Sequence, residues 1–423
     1  MLPETSTPLL QMEWWVLLFH YWPVFVSAFA MAIVVTPIMR FTARATGIVD
    51  RPDEARKIHT KPIAYLGGVG VLIAVLSGII VSYTLPQPSF IQPFPLVVIL
   101  GMFAIGLTGL ADDVKEYFDP WWKIAGQFIA AAAMAQQGVG TRVAEGFLRR
   151  VLHIPSSVCD YPLISPIDGL LADPITVTYI TGILIIAAFI LGACNAANLI
   201  DGLDGLLSGV VAITCIGFIA ITLIVLKSFT VADLENIQAH LPLNTALSNR
   251  GEGITLLGAN LVLSVSLLGA VLGFLIYNFN PASIFLGDAG SLLLGYLCIV
   301  MALMLGEKGE TFIVVAGLIV FALPILDTLL AILRRKLAGK AMSEPDSNHI
   351  HHILKRKFKS VKKTVFALYG VSSLFCLLGV LLVLAHTTRI VGAWLIYLIA
   401  IMIFGGISFV ALKAARKHEE AHG

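Results

Sequence analysis

The sequence predicts an all-α polytopic membrane protein with about 11 transmembrane helices. Three observations predict it. Of 423 residues, 58% are hydrophobic and 13% charged, and mean hydropathy is +0.90; soluble domains are nearer half apolar and a quarter charged. Apolar stretches long enough to cross a hydrocarbon core recur along the whole chain. Finally, 21 of the 28 Lys and Arg residues fall in alternate connecting segments, the positive-inside bias of a multi-pass protein.

Taken in order, the candidate spans lie at 15–39, 66–84, 95–110, 122–138, 177–197, 206–227, 253–277, 291–308, 311–333, 363–386 and 392–413. The stretch from Met1 to Pro8 has no basic residue, so the first apolar run reads as a retained span rather than a cleaved signal. The basic segments then place the N-terminus outside and the C-terminal tail in the cytoplasm. Residues 1–423 read as a single integral membrane domain, with a motif core at 50–355 and the last two spans over 363–413. The extracytoplasmic loop 139–176, with Pro155, Pro162, Pro166 and Pro174, reads as an extended or hairpin excursion without chemistry. Five scattered cysteines (159, 194, 215, 298 and 376) suggest neither a disulfide nor a metal site.

Every polar motif falls on the cytoplasmic side. After the apolar run 177–193, Asn195, Asn198, Asp201 and Asp204 recur every three residues, roughly on one helix face at the mouth of a span. Gly202 and Gly205 let the backbone turn there. Ionisable groups hemmed in by hydrocarbon are costly and point to function; a short polar loop is the alternative. Asp112 and Asp113 end the third span. Neighbouring helical residues diverge by about 100°, so the two carboxylates suit two jobs, with helix capping as the alternative. Lys123 and Gln127 share a face further on, and Trp121 and Trp122 fit an interfacial belt.

Asp288 precedes the eighth span, and Ser291 is the expected N-cap. A helix N-terminus favours phosphate, and a carboxylate beside it repels phosphate unless a cation stands between them, which argues for Mg²⁺. A turn residue is the alternative. Asp327, inside the ninth span, should face the bundle interior, and pairing with a basic neighbour is favoured over catalysis. His349, His351 and His352, beside a run of cations, suit phosphate contact better than metal ligation, since no Cys or HExxH pattern supports zinc. Arg56, Lys57, His59 and Lys61 suit headgroups, a nucleotide phosphate or simple topology anchoring. There is no Walker A loop and no Cys or Ser nucleophile beside a base. The inventory describes a cytoplasmic-face active-site cleft for a divalent metal, a polyphosphate and a lipid, and phosphoryl transfer needs little beyond positioning and charge stabilisation.

Four blocks occur in order: D-D-V-K…K-I-A-G-Q, N-A-A-N-L-I-D-G-L-D-G-L, N-P-A-S-I-F-L-G-D-A-G-S and H-I-H-H, preceded by R-K-I-H-T-K-P…G-G. Together they resemble the polyprenyl-phosphate N-acetylhexosamine-1-phosphate transferase family. Its members start enterobacterial common antigen, O-antigen and teichoic-acid linkage units, and they are related to phospho-N-acetylmuramoyl-pentapeptide transferase. The resemblance implies transfer of an N-acetylhexosamine 1-phosphate, GlcNAc foremost, from a UDP-N-acetylhexosamine to undecaprenyl phosphate in the bacterial inner membrane, with UMP released. It implies Mg²⁺, or Mn²⁺ in its place, on Asp288 and Asn198. It assigns catalysis to Asp112, Asp113, His349, His351 and His352. It assigns substrate binding to Lys123, Asp201, Asp204, Asn278, Arg56, His59 and, by stacking on uridine, Phe285. The expected partners are these substrates and the lipid bilayer, with a homodimer and without nucleic acid.

The arrangement Asp327…Arg334…Asp346-x-x-His349-x-His351-His352 resembles the N-acetylglucosamine type. The muramoyl-pentapeptide group carries T-P-T-M-G-G where this chain has K-P-I-A-Y-L-G-G, and three consecutive histidines. Direct attack by the lipid phosphate is preferred to a covalent intermediate on Asp113. A secondary transporter is the rival from another class, but its acids would sit near the bilayer midplane rather than at span ends on one side.

Overall fold

A computed structural model of the chain describes residues 14–50, 62–85, 94–115, 119–136, 141–164, 174–228, 256–306, 309–337, 339 and 349–406. The fold is mostly helical. Among the described residues seven helices are long and apolar enough to cross a membrane, and an eighth span is obtained if one bent pair is counted as one. The remaining candidate spans, 66–84, 122–138 and 392–413, fall on shorter helices among the described residues.

In chain order the elements are α1 (Trp14–Thr46), β1 (Val49–Asp50), β2 (Ile63–Ala64), α2 (Gly67–Ser82), α3 (Leu96–Val114), α4 (Pro120–Gln136), α5 (Thr141–Glu145), α6 (Ser156–Cys159), β3 (Pro162–Ile164) and β4 (Ile175–Thr176). Next come α7 (Val177–Ile200), α8 (Leu206–Ser228), α9 (Leu257–Asn278), α10 (Gly287–Met304), α11 (Thr311–Val320), α12 (Ala322–Leu337), α13 (Ile350–Phe358), α14 (Val361–Thr387) and α15 (Ala393–Ile401).

The core is built around α10, whose residues are apolar or small on every side and almost all buried. Its neighbours are α2, α3, α7, α8, α9 and α11. Small residues permit the closest approaches, as membrane helices require. A β-carbon on Gly68 would overlap the backbone of Gly290, and one on Gly109 would overlap that of Ala289. Some buried polar side chains within the bundle donate to backbone carbonyls: Asn260 Nδ2 to Met301 O at 2.9 Å and Ser266 Oγ to Val75 O at 2.8 Å.

A short extended network fixes the N-terminal end of α10. β1 pairs antiparallel with β2, and Ala64 bridges in parallel to Ile284. Phe285 N donates to Ala64 O, and Gly67 N and Gly68 N donate to Phe285 O and Leu286 O, at 2.8 to 3.0 Å. The P-I-A-Y-L-G-G and N-P-A-S-I-F-L-G-D segments therefore form one backbone unit.

Three expectations are corrected. The stretch 139–176 contains the expected hairpin, β3 with β4, but also α5, α6 and a π-helical turn over Gly146–Val151. Arg149 braces this segment, with its Nη2 at 2.6 Å from both oxygens of Asp160. The eighth span starts at Gly287, not Ser291, so Ser291 lies inside the first turns and is not the N-cap. The ninth span is broken: α11 and α12 meet at 81°. Pro324 sits in the first turn of α12, where its missing N–H costs nothing, and the Arg334-Arg335-Lys336 end of α12 is unsuited to continuing an apolar span.

Candidate active site

A cavity of about 720 Å³ opens at the N-terminal end of α10. Its wall includes Asn198, Asp201, Asp204, Asn278, Phe285, Asp288, Ser291 and His352. Three of the four sequence blocks meet in that wall, and the fourth, from the end of α3 and the start of α4, is bonded to it through Asp288.

Asp288 lies in the first turn of α10, where the amide dipoles favour negative charge. Its Oδ2 pairs with Lys123 Nζ, and its Oδ1 accepts from Asn198 Nδ2 at 2.9 Å. Lys123 Nζ also reaches Asp112 Oδ2 at 2.6 Å, so one ammonium bridges two carboxylates. Asn198 Nδ2 donates in addition to Ser291 Oγ at 2.9 Å. Asp113 points elsewhere. Its two oxygens accept from the backbone N–H groups of Asp288 at 2.7 Å and Ala289 at 3.0 Å. It caps α10 from another helix and satisfies donors that the α10 N-terminus leaves open. The adjacent Gly287 has φ +67°, a conformation glycine adopts without strain, and a side chain there would run into the Asp113 carboxylate.

Asp201 follows the last residue of α7 and accepts no hydrogen bond among the described residues. Burial, and then the charges of Asp288, Asp113 and Asp204, raise its carboxyl to about 8. Asp204 is held by Asn280 Nδ2 at 2.8 Å and Ala282 N at 3.0 Å, which ties the D-G-L-D-G turn to the N-F-N-P loop. Asn278 is buried with both ends engaged: Oδ1 accepts from Ser208 Oγ at 2.9 Å, and Nδ2 donates to Ile284 O at 3.0 Å. Phe285 meets Tyr65 edge to face with ring centroids 6.0 Å apart.

Of the three histidines, only His352 lines the cavity. His349 is buried against Asp327, so this acid pairs with a basic residue of a neighbouring element, as expected. His351 lies under Gly202, and a β-carbon on that glycine would collide with His351 Nε2. Burial, and then the His352 charge, lower His351 to about 3, so its ring is neutral at physiological pH. Arg56 and His59 lie outside the described residues, as does Asp346.

Sequence reasoning passed over Arg44, Asp50, Tyr65 and Asn280, all in the cavity wall. Tyr65 and Asn280 stand inside the sequence motifs, so adjacency to the motif glycine pair and to Asp204's loop was the available signal. Asp50 reaches the wall where β1 pairs with β2, Arg44 comes from the last turn of α1, and nothing local marks either.

Among the described residues no group of three or more His, Cys, Asp or Glu side chains is arranged to hold a metal. Mg²⁺ does not require one, because it is commonly held by one or two carboxylates, waters and substrate phosphates. The donor set fits that habit. Carboxylates 112 and 288 share one ammonium, and turning the Asn198 amide would offer its Oδ1 beside Asp288.

Residues 95–306, half of the chain, match the family model described as glycosyl transferase family 4. A probable undecaprenyl-phosphate N-acetylglucosaminyl 1-phosphate transferase of Bacillus subtilis is 31% identical over 363 residues, covering 85% of this chain and 84% of the relative. A decaprenyl-phosphate N-acetylglucosaminephosphotransferase of Mycolicibacterium smegmatis is 30% identical over 356 residues, covering 78% and 74%. A phospho-N-acetylmuramoyl-pentapeptide-transferase of Shouchella clausii is 26% identical over 395 residues, covering 91% and 100%. The matched segment contains the Asp112–Lys123–Asp288–Asn198 cluster whole, and with these identities the chain belongs to glycosyl transferase family 4, as a multi-pass membrane protein.

Proposed function

We propose that the protein transfers N-acetylglucosamine 1-phosphate from UDP-N-acetylglucosamine to undecaprenyl phosphate at the cytoplasmic face of the bacterial inner membrane. The reaction would be the first membrane step of a cell-envelope polysaccharide. The observation that carries this reading is the cavity at the α10 N-terminus, walled by Asp201, Asp204, Asp288 and His352 and tied through Asp288 to Lys123. Such a mixture suits a polyphosphate held through a divalent cation. The names of the more similar relatives support the acceptor and the sugar.

In this reading an oxygen of the lipid phosphate attacks the donor phosphorus that bears the sugar. A new P–O–P bond forms, and the bond from that phosphorus to the bridging oxygen of UMP breaks. UMP leaves with the electron pair, so no protein nucleophile is consumed. Lys123 places positive charge between Asp112 and Asp288, and His352 offers a ring nitrogen on the cavity wall. Asp204 and Phe285 line the part of the cavity assigned to uridine. Asp288 with Asn198 would hold Mg²⁺, which would supply charge neutralisation for the diphosphate.

The test is incubation of purified protein with undecaprenyl phosphate, Mg²⁺ and one donor at a time: UDP-N-acetylglucosamine, UDP-N-acetylgalactosamine or UDP-muramoyl-pentapeptide. Lipid-extractable product and UMP from the first donor, lost with EDTA, are expected. Product from the muramoyl donor alone moves the protein to the peptidoglycan branch, and no product from any donor overturns the reading.

A further inference from the structure

The cavity wall does not account for Asp327. This residue lies on α12 beyond the bend at Phe321 and is fully buried. A carboxylate persists in such a place only where donors surround it. Its Oδ2 is 2.8 Å from His349 Nδ1, and its Oδ1 accepts from Ile350 N, also at 2.8 Å. Ile350 is the first residue of α13 and His349 the residue leading into it. One buried carboxylate therefore caps α13 and fixes the ring at its entrance. The bond to a carboxylate keeps the His349 proton on Nδ1 and leaves Nε2 as the free ring nitrogen.

That anchor sets the geometry of the other two histidines. The His349 and His351 rings lie within 13° of parallel, with centroids 5.6 Å apart. His351 is 2% exposed, its Nδ1 has no hydrogen-bond partner, and its other edge faces Gly202 in the turn between Asp201 and Asp204. His352 emerges on the cavity wall. A roll of α13 would withdraw His352 from the cavity and His351 from the turn together. We propose that Asp327 is a positioning residue of the transferase site, setting the roll of α13 through His349 and the Ile350 amide. The clamp stands on geometry alone; its effect on turnover rests on the transfer reading above.

The test compares full-length wild type with Asp327→Asn, Asp327→Ala, His349→Ala and the double variant Asp327→Ala/His349→Ala. Two readouts are taken: the Nδ1–H proton resonance of His349 in ¹⁵N-histidine-labelled protein, assigned by its loss in His349→Ala, and kcat and KM with UDP-N-acetylglucosamine. Asp327→Ala is expected to lose the resonance and about 30-fold in kcat, with KM within about threefold, as for loss of a carboxylate that orients a histidine. Asp327→Asn keeps one acceptor and should fall between. The double variant should be no worse than His349→Ala, because both act through one element.

Near-wild-type kcat in folded Asp327→Ala, or losses that multiply in the double variant, overturn the proposal. If Asp327→Ala does not fold, an unchanged resonance and turnover in folded Asp327→Asn overturn it equally. Absence of transfer by the wild type sinks the transfer reading and the positioning role with it, while the resonance still reports whether the clamp exists.

Discussion

Neighbouring carboxylates at the end of α3 do different work, and the difference can be measured. Asp112 is tied to Lys123, whereas Asp113 spends both oxygens on the amides that open α10. Removing a helix cap costs about 1 to 2 kcal/mol, so Asp113→Ala should lower the thermal midpoint as well as turnover, which scanning fluorimetry in detergent would register. A nucleophilic Asp113 would instead lose all turnover at unchanged stability. Lys123 leads to a second expectation. Its ammonium occupies the Asp288 oxygen that a cation would use, so Lys123→Met should bind Mg²⁺ more tightly while turning over more slowly, as a calorimetric Mg²⁺ titration can show. Asp201 gives the third. Its carboxyl is raised to about 8 in the fold, against about 3.9 when unfolded. Between those values the native state holds a proton that the unfolded state lacks. Stability of metal-free protein therefore falls as pH rises from about 4 to about 8. Asp201→Asn should flatten that fall, seen as midpoints that no longer drop across the window.

At the scale of elements, the approach of α2 and α3 to α10 decides whether the cavity forms. Gly68 has no room for a β-carbon against Gly290, while Gly192, on α7, has no atom within 4 Å of the same position. Gly68→Ala should cost about 1 to 3 kcal/mol through overpacking, and Gly192→Ala should be near neutral. Paired melting curves test the contrast. Much at this scale was legible. The apolar runs gave the long helices, but not the break between α11 and α12, which lies within a stretch read as one span. The short helices α5 and α6 were not legible, because stretches this brief carry too few periods to stand out from a Pro-rich loop. The α10 start was misplaced because Ser291 looked like a cap, while the real cap, Asp113, lies on another helix. The histidine block was visible, but the burial of His349 against Asp327 was not, since that partner comes from a different element.

The molecule as a whole is arranged so that acids from segments far apart in the chain converge at one end of a single buried helix. Lys123 meets Asp288 across 165 residues and Asp113 reaches Asp288 across 175. Motif reading finds the blocks but cannot find such pairings, because no local periodicity encodes them. The opposite end of α10 carries different structure. Gly309, just beyond that end, packs against Gly146 in the loop segment that includes α5 and α6. The 18 residues of α10 span about 27 Å, close to the thickness of a hydrocarbon core. The cavity and the 141–159 segment therefore lie at opposite ends of a membrane-length helix, and the proposed orientation, drawn from the Lys and Arg bias, has the cavity facing the cytoplasm. Single-cysteine labelling checks this directly. All five native cysteines are free and buried, so background labelling by a membrane-impermeant maleimide should be low. Leu152→Cys, exposed beside α6, should react in intact cells. Lys357→Cys, exposed on α13 with the histidine block, should react only after the membrane is opened. Both positions reacting from one side would break the link between helix length, charge bias and site orientation.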